Sequence, residues 1–91
     1  MTPRMLEVSV QRSAESVLRE LQRRGLVIKM DTIDKKRNAR HWHLGFDKKP
    51  GVLEITDLGA MCELKVASNR DGGWAAALAR ELATPPRRKG S

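Results

Sequence analysis

The chain has 91 residues, 40% apolar and 32% charged, enough for one modest core and too few for two. Its net charge of +7, from 18 Lys and Arg against 11 Asp and Glu, is the footprint of a domain that meets phosphates. Its longest apolar runs are short, such as "WAAALA" at 74–79, which excludes a transmembrane helix, and its lone cysteine, Cys62, excludes an internal disulfide framework.

The unpaired thiol points to a reducing compartment, and "MTPRMLEVSVQRS" lacks the apolar stretch of a secretory signal, so the expected location is cytoplasmic. The aromatics are Trp42, Trp74 and Phe46, with no tyrosine, so the core is expected to be aliphatic.

"MLEVSVQ" alternates Leu6, Val8 and Val10 with Glu7 and Ser9 and predicts a strand with one buried face. "RSAESVLRELQRRG" predicts a helix over about 12–24. Ser13 stands as its cap, Ala14, Val17, Leu18 and Leu21 share one face, and Gly25 ends it. In "LVIKMDTI" alternation assigns Leu26, Ile28 and Met30 to one side and Val27, Lys29 and Asp31 to the other. "DKKRNA" is a polar turn before a third strand, "RHWHLGF". The turn "DKKPG" leads to two more, "VLEITDL" and "MCELKVA". Asp71 then caps a helix whose apolar stripe is Trp74, Leu78 and Leu82, and residues 84–91 form a flexible basic tail.

The expected fold is α+β, in the order β-α-β-β-β-β-α. It is a two-layer sandwich with an antiparallel sheet of four to five strands and two helices on one face, all within 1–83.

Strand parity sorts the chemistry. Trp42, Leu44 and Phe46 share the core face, so His41 and His43 point together to the open face as candidate metal ligands. Cys62 alternates with Leu64 and Val66 on the buried face, leaving Glu54 or Glu63 as the carboxylates to join the histidines. A Cys-His nucleophilic dyad is thereby disfavoured. The chain also has no phosphate-cradling glycine loop, paired carboxylates or cysteine-rich spacing. The reading is a non-enzyme without a cofactor. The open face would carry Glu7, Ser9, Lys29, Asp31, His41, His43, Glu63 and Lys65, a mixed surface without the aromatic platform of single-strand readers.

The basic surplus lies instead on the first helix and in the turns. The expected function is binding of RNA or DNA through its phosphates. Lys35, Lys36, Arg37 and Arg40 carry affinity, supported by Arg19, Arg23 and Lys48. The alternative is a protein-interaction or homodimerising module using the open face or an edge strand.

Residues 18–44, "LRELQRRGLVIKMDTIDKKRNARHWHL", resemble the end of a winged-helix recognition helix and its basic hairpin wing. Only 17 residues precede them, so that family's upstream helices have no counterpart. A helix, several strands and a final alanine-rich helix are similar in order to the double-stranded-RNA-binding domain. That resemblance implies contacts from the first helix, a strand loop and a basic start to the last helix. Here "SNRDGGWAAALARELA" has only Arg70 at that start, and there is one strand too many.

Overall fold

A computed structural model of the chain describes residues 6–66 and 73–83. The elements are β1 (Leu6–Val10), α1 (Ala14–Arg23), β2 (Val27–Asp34), β3 (Ala39–Gly45), β4 (Leu53–Asp57), β5 (Cys62–Val66) and α2 (Trp74–Ala83). This is the predicted α+β order, and all five strands join one antiparallel sheet ordered β1-β5-β4-β3-β2. The two edge strands are therefore neighbours in sequence, joined by α1 crossing the sheet. The expected cap at Asp71 and the tail at 84–91 lie outside the described residues.

Helix α1 starts where a side chain can satisfy an open backbone donor: the Ser16 amide donates to Ser13 Oγ at 3.2 Å. It ends at Gly25, whose φ of 101° suits glycine far better than any residue with a Cβ. The helix turns Ala14, Val17, Leu18 and Leu21 onto the inward side chains of the sheet. Leu21, Leu44, Leu53, Ile55 and Leu64 are fully buried, and each contributes about 1.5–3 kcal/mol by leaving water. Cys62 is buried with them on the helix-covered face, as its parity predicted.

Two expectations need correction. In α2 it is Ala75 and Ala79 that are buried, while Trp74, Leu78 and Leu82 pack partly exposed around them. Small residues let the helix lie close to the sheet, and the larger ones seal its margins. Trp74 also fixes the helix start, donating Nε1–H to the Pro50 carbonyl at 2.8 Å and meeting Phe46 edge-on at 4.8 Å.

The second correction concerns β2. Its pairing with β3 shifts between Ile28 and Met30, so Lys29 forms a β-bulge. An extra residue reverses the parity beyond it. Met30 lies opposite His43 on the open face, and Asp31 lies opposite Trp42 on the helix-side face. The expected grouping of Ile28 with Met30, and the expected place of Asp31 on the open face, are both undone. Neither helix packs extensively on this strand. Val27, Ile28, Met30 and Ile33 are accordingly 37%, 40%, 49% and 50% exposed, along the sheet's edge.

Candidate functional site: the hairpin tip and the open sheet face

The β2–β3 turn is built by its own polar residues. Asp34 accepts the Lys36 amide on Oδ1 at 3.0 Å and the Arg37 amide on its carbonyl at 3.2 Å. Asn38 takes the left-handed conformation that asparagine tolerates, with φ of 53°. Lys35 and Lys36 are exposed at this tip, with no ion-pair partner among the described residues.

Arg37 and Arg40 diverge from it onto opposite faces. Arg37 reaches Glu63 at 2.7 Å across the open face, and that carboxylate holds the guanidinium still more firmly protonated. Arg40 sets one nitrogen on both Asp31 oxygens, at 2.9 and 2.8 Å, and lies over the Trp42 ring.

The supporting cations fall elsewhere. Strand β2 carries the chain about 25 Å from the end of α1 to the tip, at about 3.3 Å per residue. Arg23, at the end of α1, and Lys48, in the β3–β4 loop, therefore occupy the end of the sheet away from Lys35 and Lys36. Arg19 is exposed midway along α1. Lys35 and Lys36 thus share the tip, with the Arg37 and Arg40 side chains leaving it on opposite faces, and Arg23 and Lys48 lie at the other end of the sheet.

The two histidines meet on the open face as parity required. His41 Nε2 lies 3.2 Å from His43 Nε2 and 3.1 Å from Glu54 Oε1, and His43 Nε2 lies 3.7 Å from the same oxygen. Glu54 is there because its register partner is His43. Glu63, the other carboxylate considered, is taken by Arg37. His41 Nδ1 is 2.8 Å from the hydroxyl of Thr56, a buried residue that alternation alone did not single out. Its signal was present in the chain, since Thr56 follows Glu54 by two in the same strand, but only the β3–β4 register places it beside His41. Cys62 lies across the sheet from this cluster, and burial pushes its thiol up to about 11.

Comparison with protein families, curated proteins and solved structures gives no match. No helix among the described residues is long and apolar enough to cross a membrane.

Proposed function

We propose that this chain is a small cytoplasmic nucleic-acid-binding domain, not an enzyme, that contacts RNA or DNA phosphates at the tip of the β2–β3 hairpin. Lys35 and Lys36 make the principal contacts, by sequence-independent attraction with counterion release. Arg37 and Arg40 join them by exchanging a carboxylate for a phosphate, and ion pairs this exposed hold their partners loosely. Arg19, Arg23 and Lys48 raise the long-range attraction without touching the same phosphates. The observation that carries the reading is the pair of exposed lysines, without an ion-pair partner among the described residues, followed by two arginines on a turn shaped by Asp34 and Asn38. The lone Cys62 favours the reducing compartment.

The test is fluorescence anisotropy with labelled duplex RNA, duplex DNA and single strands over a salt series, comparing the wild type with Lys35→Ala/Lys36→Ala. Absence of binding even at low salt would sink this reading.

One observation favours a second reading, a homodimerising or protein-interaction module. Val27, Ile28, Met30 and Ile33 expose apolar surface along one long edge strand whose outward backbone groups have no sheet partner among the described residues. Sedimentation at high salt decides it. A dimer that persists there and is lost in Ile33→Lys supports edge pairing, and a monomer at every concentration removes it.

A further inference from the structure

We propose that His41, His43 and Glu54 bind a first-row divalent metal ion, zinc by preference, on the open face of the sheet. The inference does not depend on the nucleic-acid reading.

Its basis is the spacing of the three donor atoms. Zinc sits about 2.0–2.1 Å from imidazole nitrogen and about as far from carboxylate oxygen. In a tetrahedral site, ligand atoms therefore lie about 3.3–3.4 Å apart. The three separations here are 3.1, 3.2 and 3.7 Å. All three donor atoms can thus reach a common centre with shifts of a few tenths of an ångström.

The proton inventory points the same way. When His41 Nδ1–H donates to Thr56 Oγ1 at 2.8 Å, Nε2 of that ring carries only a lone pair. That lone pair then faces a carboxylate oxygen at 3.1 Å and a second imidazole nitrogen at 3.2 Å. In that tautomer, electron-rich atoms at these distances call for a proton or a metal cation among them. A shared proton satisfies one contact at a time, whereas a metal ion satisfies all three.

The surroundings suit a ligand set. Thr56, buried between the strands, holds His41 in the ligating orientation, the part an outer-shell hydrogen bond plays in metal sites. The histidines come from one strand and the glutamate from its register neighbour, so a rigid sheet fixes all three. The side chains are 14%, 27% and 20% exposed, sheltered yet reachable from the open face. Two histidines and one carboxylate leave a fourth position for water or an anionic oxygen.

The test uses protein without a histidine tag, stripped by chelator and titrated with Zn(II) against a chromophoric competitor and with Co(II) by visible absorption. His41 and His43 are the chain's two histidines, so any imidazole-dependent uptake reports on this cluster. The expected result is one ion per chain, zinc held more tightly than cobalt. His43→Ala should abolish it. Glu54→Gln, which keeps the side chain's size, should weaken it without unfolding the protein. Thr56→Val should cost about 10–100-fold in affinity with all ligands retained. No stoichiometric uptake, or uptake unchanged in folded His43→Ala and Glu54→Gln, would overturn the proposal and leave a proton-linked cluster.

Discussion

Arg40 and Asp31 face each other across the β2–β3 pair on the helix side of the sheet, one guanidinium nitrogen within 2.9 Å of both carboxylate oxygens. The contact exists because the bulge at Lys29 turns Asp31 to the face that carries Arg40 and Trp42. It gives Arg40 a structural role that Lys35 and Lys36 lack. Arg40→Ala should therefore lower thermal stability, by about 0.5–1 kcal/mol for the lost stacking on Trp42. It should also change the salt dependence of nucleic-acid binding less than the lysine pair does. Lys35→Ala/Lys36→Ala should leave stability unchanged and reduce the log–log salt slope by about two units. Thermal melts and anisotropy titrations on the same variants separate the two roles.

Glu20 and Glu81 make the stability acid-sensitive. Hydrogen bonds from Arg12 and then Arg24 hold the Glu20 carboxyl below its ordinary 4.5, and Arg24 does the same to Glu81 in α2. A depressed carboxylate stabilises the fold above its unfolded value, and that contribution disappears as pH falls through the folded value. Urea unfolding should therefore show stability declining below about pH 4.5. Glu20→Gln should lose about 1 kcal/mol at neutral pH and show a shallower decline in acid.

Cys62 should behave oppositely. Burial, then the charge of Asp57, raises its thiol from 9.0 to about 11. A raised thiol leaves the fold unaffected below the unfolded value and costs stability as pH climbs through the interval between the two. Stability should fall more steeply above pH 9.0 in the wild type than in Cys62→Ala. Alkylation of the native thiol should be slow at neutral pH, at a rate set by opening of the fold.

Gly45 has no room for a side chain. A Cβ there would lie 2.9 Å from the Gly51 carbonyl oxygen, which belongs to backbone and yields poorly. Gly45→Ala should cost about 1–3 kcal/mol, read as a lower urea midpoint with unchanged slope. The β3–β4 loop moves with it, so the Trp74 indole bonded to Pro50 should report the change in fluorescence.

Much of the fold was written in short-range pattern. Alternation in "MLEVSVQ", "RHWHLGF" and "MCELKVA" placed the strands and put Trp42, Leu44 and Cys62 inward and the histidines outward. Ser13 and Gly25 marked the ends of α1 to within a residue or two. These are local properties, since a pleat or a helical turn needs only its own residues. The sequence by itself thus determined the element order, the inward residues of α1, β3 and β5, and the face that holds His41 and His43. Tertiary structure alone decided which carboxylate joins them, because strand register is set by partners distant in the chain. It decided too that Arg23 and Lys48 lie at the far end from Lys35 and Lys36. The bulge at Lys29 was likewise hidden. One extra residue in a ladder reverses every side chain beyond it, and only the pairing with β3 reveals that it is there.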